Sequence, residues 1–463
     1  MKLLFVSSLY PSAEEPERGL YNRQLMKAIS SSAEVRVIAP FPWFPGQCVF
    51  RQRRTPPGEE MMDGIRVFHP KCFYTPGMFI HRHWQMYQRS IRARFEEIAG
   101  EYRPDHVMIG FAYPDGAAVA PLCRELGLSY SIRINGSDFN LRVRQEKFRN
   151  MVLETLKEAP QIFCPGRALK KAMVEEGIDG TKIMAFENGV DGSLFRYRGK
   201  EDVVKELEDK HLTPDERRSR VARAMQDKWT QMGKKIVLFV GNLVEVKGPD
   251  VMLEAFAYLQ KKCRMSNIEY RISNPGGGIQ DSEFRPSLRD SYTPILFVIG
   301  DGSMRSSLEK QAAELGVADS VRFLGSRPHG EVARWMNLAD CLCLASRSEG
   351  MPNVVIEALA SGLPVVATDV GGVRELLENE PEARMVKNRG SSEKERNIEC
   401  RISNIECLSS NQTLAASVAS ALAEVLPAGI DRRAMAERNK GRFSWDKCAK
   451  EILELMKQKK DTI

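Results

Sequence analysis

The sequence has no long apolar run. No stretch approaches the ~18 apolar residues of a membrane-crossing helix, and Lys2 is followed by only four apolar residues, Leu3–Val6, before Ser7 and Ser8. A secretory h-region needs roughly 7–15, so the opening run reads as a buried β-strand and the expected location is the cytoplasm. Paired cysteines are also missing. The ten cysteines include no Cys-x-x-Cys, and no Cys/His set has zinc spacing, so a structural metal is not expected. Cys341 and Cys343 share one face of a strand and read as buried thiols. Nucleic-acid-binding motifs are absent, which argues against DNA or RNA as a partner. A net excess of positive charge is absent from most of the chain: the net charge of +7 sits in residues 1–200, with 29 Lys and Arg against 22 Asp and Glu, while the rest balances at 39 against 39.

What is present is an ordinary globular composition, 43% apolar over 463 residues, enough for two or three domains with a core each. Short apolar runs alternate with helical patterns. Leu3–Val6, Val35–Ile38, His106–Gly110 and Tyr130–Ile134 are strand-like in the first part, as are Ile236–Val240, Ile295–Ile299, Val321–Leu324, Cys341–Leu344 and Val365–Ala367 in the second. Strands apolar throughout are covered on both faces, as in a parallel sheet between helices. With helices such as Met304–Leu315 and Asn353–Ala360 between them, the class is α/β, doubly wound. The expected division is a first domain over 1–195, a charged linker over 196–234, read as part exposed helix and part linker, and a second domain over 235–443. From Ser444, Trp445, Cys448, Ile452 and Leu455 or Met456 recur at helical spacing, giving a helix over 444–460 with one apolar stripe.

Two eight-residue segments nearly repeat: NIEYRISN at 267–274 and NIECRISN at 397–404. Too short and sparse for a solenoid, they lie in polar stretches, about 263–294 and 387–412, that read as surface insertions. A second role for them, as acceptor or partner loops, stays open. His81, Trp84, Tyr87 and Ile91 lie at helical spacing with Arg82, Arg89, Arg92 and Arg94 nearby. That helix either packs on its own domain or lies on an anionic membrane surface. The basic first part likewise suits an anionic lipid surface or lipid-linked acceptor, or is a solvated face.

The chemistry-bearing stretches all follow strands. SRSEGMPNVVIEALASGLPVVATDVGG, 346–372, carries Glu349 and Glu357 eight positions apart. Pro352 and Asn353 suit the first turn of a helix, whose free N–H groups favour a phosphate. In VLFVGNLVEVKG, 237–248, a strand enters a glycine turn and Lys247 follows, a compact point charge suited to phosphate. LFVIGDGSM, 296–304, and VRFLGSRPHGEV, 321–332, repeat the strand–glycine-turn pattern. Carboxyl ends of parallel strands are where such sheets bind ligands. Each signal alone is weak: a lone Gly-Asp-Gly is usually a turn, and a Glu pair on a helix is usually a solvated face.

Together, in this order, they resemble the donor domain of the family 4 retaining glycosyltransferases, of the glycogen synthase and cell-envelope glycosyltransferase superfamily. LYPSAEEPERGLYNRQL at 9–25, FAYPDG at 111–116, INGSD at 134–138 and CPGRALKKAM…ENGVDGSLF at 164–195 match that family's first domain in place. The resemblance implies the GT-B fold, two Rossmann-like doubly wound domains facing a central cleft, with the 444–460 helix returning to brace the first. It implies transfer of a sugar, with retention, from a UDP- or GDP-linked donor to an acceptor hydroxyl on a glycan or lipid-linked acceptor. No cofactor or metal is implied, and the setting would be surface polysaccharide synthesis, in the cytoplasm or on the inner face of the membrane.

By position, the resemblance gives Glu349 the transferred sugar, Glu357 the ribose hydroxyls and Lys247 the diphosphate. Gly350, Met351, Pro352, Asn353 and Val354 would cradle sugar and phosphate, Gly300 and Gly302 would line the donor site, and Arg327 would lie near the base. Gly19 would let the first loop approach the phosphate. Tyr113, Asn135 and Asp138 would stand on the acceptor side, Asn135 with a part in catalysis. Two positions depart from the pattern: Asn242 where the family commonly has Arg, and Asn135 where it often has His. Asn cannot titrate, so a proton shuttle there is put in doubt and hydrogen bonding is not. A degenerate, non-catalytic nucleotide- or glycan-binding protein, and a sugar-nucleotide epimerase, are the rival readings.

Overall fold

A computed structural model describes residues 1–44, 56–73, 82–208, 234–273, 294–387 and 410–460. They fall into two units. The first comprises Met1–Asp191, Glu349–Met351 and Phe443–Ile463, and the second Gly192–Ser348 and Pro352–Arg442.

The first unit is built on strands β1 (Lys2–Val6), β2 (Glu34–Ile38), β3 (Phe41–Trp43), β4 (Glu59–Met62), β5 (Ile65–Phe68), β6 (Lys71–Phe73), β7 (His106–Gly110), β8 (Tyr130–Arg133), β9 (Ile162–Pro165) and β10 (Ile183–Phe186). Eight form one sheet in the order β10-β9-β8-β7-β1-β2-β5-β4, and β3 pairs with β6. The sheet is parallel except at its β4–β5 edge. There Asp63 and Gly64, both with positive φ, make the two-residue Asp-Gly turn that joins antiparallel strands. The two faces follow from alternation along β1. Leu3 and Phe5 join a core with helix Leu20–Ser30 and helix Trp445–Lys460. Leu4 and Val6 join the opposite core with helices His83–Tyr102, Ala117–Glu125 and Glu146–Glu158.

The C-terminal helix is therefore part of the first core. Trp445, Cys448, Ile452 and Met456 are buried on it, and the Trp445 indole N–H donates to Gln24 Oε1 at 2.8 Å. Gly189 makes room for the crossing, since a Cβ there would stand 2.4 Å from the Trp445 backbone nitrogen. Helix His83–Tyr102 spends its apolar stripe internally: Tyr87, Ile91, Phe95 and Ile98 are buried in its own unit, and Arg92 and Arg94 pair with Glu125 and Glu97. The membrane-surface reading of this helix is thereby corrected, because its apolar face is already covered; His81 lies outside the described residues.

The second unit holds β11 (Ile236–Val240), β12 (Ile295–Ile299), β13 (Val321–Gly325), β14 (Cys341–Leu344), β15 (Val365–Thr368) and β16 (Arg384–Val386), all parallel. Their order, β13-β12-β11-β14-β15-β16, winds outward both ways from β11, the doubly wound Rossmann-like pattern. Two boundaries differ from expectation. The unit begins at Gly192, and Lys200–Glu208, in the charged stretch, is the helix expected there, tied down by Glu206, which pairs with Arg198 and Arg334; 209–233 lies outside the described residues. The first expected insertion opens inside a helix, Pro249–Ser273, because no Gly or Pro interrupts the chain before Pro275. Residues 274–293 and 388–409, with the whole of the second repeat, lie outside the described residues.

Replacing Trp445 by Ala should cost about 3–5 kcal/mol, the usual loss for a buried Trp. Denaturant unfolding checks it, and a change under about 1 kcal/mol would show that the helix does not brace the first core.

Candidate functional site

The winding of the second sheet reverses between β11 and β14, so the loops leaving their carboxyl ends stand side by side. That crevice is where open α/β sheets hold ligands. After β11 the chain turns through Gly241 and exposed Asn242 to a single helical turn, Glu245–Lys247, which carries Lys247. Gly248 follows with φ +60°, and a Cβ there would stand 1.9 Å from the Ala345 carbonyl oxygen. Only glycine lets the two loops come this close. Arg347 then stitches them: its N–H donates to Val246 O at 2.8 Å, its guanidinium to Glu245 O at 2.6 Å, and to Asp250 at 2.6 and 2.9 Å. Burial alone would raise the Asp250 pKa, but the Arg347 guanidinium outweighs it and holds the carboxyl below its ordinary value.

The loop after β12 joins the same layer. Gly300, at φ +131°, lies so close to the preceding loop that a Cβ would meet Gly241 O at 1.9 Å. Leu243 N–H donates to Asp301 O and Met304 N–H to Leu243 O, at 2.9 and 3.0 Å, while Gly302 N–H is held by Asp301 Oδ1. Arg327, after β13, bonds Leu324 O at 2.6 Å and lies 3.6 Å from Glu331. Its guanidinium is committed to its own loop.

From Arg347 the chain continues through Glu349, Gly350 and Met351 to Pro352, which stands at the N-cap of helix Asn353–Ala360 in extended geometry with no side-chain cap. Pro352 itself offers no side chain to the first-turn amides, and the N-terminal end of a helix dipole suits an anion. Glu349 and Glu357 are both buried, at 7% and 3% exposure. Buried carboxylates are costly without specific partners, which sets these two apart from a solvated glutamate face.

In the first unit the winding reverses between β1 and β7. Gly19 caps helix Leu20–Ser30 in left-handed geometry, folded against Leu9. Asp115, from FAYPDG, accepts the Ser8 N–H at 2.9 Å and so ties the two loops. Burial pushes its carboxyl up to about 7, against the lowering effect of the Ser8 and Ser7 donors. Tyr113 is buried, its ring 4.9 Å from Phe148, and burial pushes its hydroxyl up to about 12. Asp138 turns into its own loop, accepting the Asn135 and Gly136 amides at 3.0 and 2.9 Å. It therefore shapes INGSD rather than presenting a free carboxylate. Asn135 remains partly exposed, its Oδ1 accepting from Arg133.

Sequence reasoning passed over Arg133, Arg347 and Asp115. Arg133 had a visible signal, a charged residue inside a run read as buried on both faces. Arg347 and Asp115 lay inside quoted motifs, but their partners are 97 and 107 residues away, so nothing local announced them.

The comparisons with known proteins agree with this geometry. Residues 221–404 match the family described as "Glycosyl transferases group 1". The chain is 26% identical over 388 residues to "Putative teichuronic acid biosynthesis glycosyltransferase TuaC" of Bacillus subtilis, covering 81% of this chain and 83% of that one. In fold it is similar to the sucrose-phosphate synthase of Thermosynechococcus elongatus, with a TM-score of 0.66 at 16% identity over the whole of both chains. It is similar also to Anabaena HepE in complex with UDP-glucose, with a TM-score of 0.59 at 18% identity, covering 99% of this chain and 100% of that one. The fold class is GT-B, with two Rossmann-like halves.

The buried Asp115 gives a pH test. Its folded pKa lies above the unfolded carboxyl value, so its contribution to stability is full below about pH 4 and is lost as pH rises through about 7. Relative to wild type, Asp115→Asn should remove a slope of up to about 1.4 kcal/mol per pH unit between pH 5 and 7. Unfolding free energies at pH 5, 6, 7 and 8 measure it, and parallel curves for the two proteins would refute it.

Proposed function

We propose that this protein is a glycosyltransferase that moves a sugar, with retention of anomeric configuration, from a UDP- or GDP-linked donor to a hydroxyl of a growing or lipid-linked surface glycan. The observation that carries the reading is the pair of stitched loops at the β11/β14 reversal, which brings the Lys247 turn beside the loop leading to Glu349 and helix Asn353–Ala360. The UDP-glucose bound by HepE supports a nucleotide-sugar donor, and the name of TuaC supports a cell-envelope acceptor.

In this reading, Lys247 and the first-turn amides of helix Asn353–Ala360 bind the diphosphate. Glu349 holds the transferred sugar and Glu357 the ribose hydroxyls. Gly300 and Gly302 line the floor, and Arg327 lies toward the base. Bond breaking at the anomeric carbon puts negative charge on the departing diphosphate. Fixed donors aimed at developing charge are commonly the largest catalytic contribution, worth about 3–4 kcal/mol each. That charge stabilisation comes from Lys247 and backbone amides, so the reaction is proposed to run without a metal. The departing phosphate oxygen takes the acceptor's proton as the new glycosidic bond forms on the face it leaves, which yields retention. Asn135 serves by hydrogen bonding, since its amide does not titrate.

Calorimetry with UDP and GDP, followed by turnover of UDP-glucose and GDP-mannose, tests this reading. One nucleotide should bind without added metal, and Lys247→Ala should lower kcat by about 100- to 1000-fold. A folded wild-type protein that binds neither nucleotide would contradict it.

A further inference from the structure

Arg432 opens helix Arg432–Asn439, whose start is fixed by the Asp431 carboxylate accepting the Ala434 N–H at 3.0 Å. Its guanidinium turns inward onto main-chain carbonyls. Nε donates to Gly362 O at 2.8 Å, Nη1 to Asn337 O and Ala339 O at 3.0 and 2.8 Å, and Nη2 to Met336 O and Ser361 O at 2.8 and 3.4 Å. A guanidinium has five N–H donors and no acceptor, so every donor is spent, and none of the acceptors is a carboxylate. Burial pulls the guanidinium pKa below its ordinary value, with Asp340 working in the opposite sense.

The carbonyls belong to two helix ends. Met336, Asn337 and Ala339 close helix His329–Leu338, and Ser361 and Gly362 close helix Asn353–Ala360. Each helix C-terminus carries roughly half a negative charge, so the two ends together act as the counter-ion of Arg432. The junction is tight: Gly362 has φ +63°, and a Cβ there would stand 2.1 Å from Arg432 O. All of these residues lie in the second unit.

The two helices follow β13 and β14, and β12 and β11 stand between those strands. Strand pairing therefore does not set the spacing of the helices directly; Arg432 bonds to both. A helix that joins parallel strands runs back along the sheet. Both helices thus begin at the carboxyl ends of the strands and meet Arg432 at the opposite end. The first begins just after the Arg327 loop, and the second begins with the first-turn amides beyond Pro352.

We propose that Arg432 is a positioning residue for the sugar nucleotide: by joining the far ends of helices His329–Leu338 and Asn353–Ala360, it sets the spacing between the loop that faces the base and the amides that take the diphosphate. This rests on the glycosyltransferase reading above. A nucleoside diphosphate is two linked ligands, and the gain from the link is lost when geometry keeps both parts from seating together. Each subsite is local and keeps its own shape when the spacing shifts.

Arg432→Lys keeps a cation against the two helix ends, but its donors sit on one nitrogen and cannot span the carbonyls. Affinity for UDP or GDP, whichever the wild type binds, should fall at least about tenfold by calorimetry. Affinities for inorganic pyrophosphate and for uridine or guanosine, read by ligand-observed NMR titration, should stay within about threefold of wild type. Gly362→Ala opens the same junction from the other side and should give the same pattern; it decides the matter by the same criteria if Arg432→Lys does not fold. A variant that binds the nucleotide as tightly as wild type overturns the proposal. So does one in which nucleotide, pyrophosphate and nucleoside weaken together, because a general loosening of the unit does that. A wild type that binds neither UDP nor GDP overturns the glycosyltransferase reading itself, a different result from tight wild-type binding left unchanged by Arg432→Lys.

Discussion

A parallel sheet wound outward in both directions from its first strand has one place where neighbouring strands send their chains to opposite faces. At that place two loops emerge together. In the second unit the strands are β11 and β14, and the close approach of Gly248 to Ala345 decides how near the loops stand. The rest of the candidate site depends on that contact. It sets the Lys247 turn against the β14 loop, lets Arg347 bond across, and fixes the direction in which the chain leaves for Glu349, Pro352 and the helix beyond. A Cβ at 248 would push the loops apart at the one point where both must be placed.

The first unit meets the same topology with a different device. Its reversal lies between β1 and β7, and buried side chains hold the loops alongside the close packing of Gly19 on Leu9. Asp115 draws in Ser8, and Arg133 draws in Asn22, which in turn holds Leu9. Buried polar groups of this kind are costly unless satisfied. Their presence at the carboxyl ends of the strands, among cores that are otherwise apolar, is what a site maintained for chemistry would show.

The α/β alternation, nearly every strand of the second unit and helix Asn353–Ala360 were legible in the sequence, because strands buried on both faces read as unbroken apolar runs and Pro352 marks a helix start. The β4–β5 edge was missed although Asp63-Gly64 is a strong hairpin signal; Glu59–Met62 is partly exposed and lacks an apolar run. A helix within the charged stretch was expected, but not its anchoring through Glu206 to Arg334, far along the chain. The motif residues of the site were readable, but the direction in which each side chain turns was not. Asp138 faces its own amides, Tyr113 packs on Phe148, and only the fold shows it. Short repeats and spacing carry no information about such long-range partners.

The central claim is that the paired loops at the β11/β14 reversal are where a nucleotide sugar is held. Hydrogen–deuterium exchange with and without saturating UDP-glucose or GDP-mannose tests it most directly. The expected result is slowed exchange in 241–248 and 345–357, whose amides form the loops and the first turns of the helix. Protection confined to other segments, with these two unchanged at saturating ligand, would contradict the account.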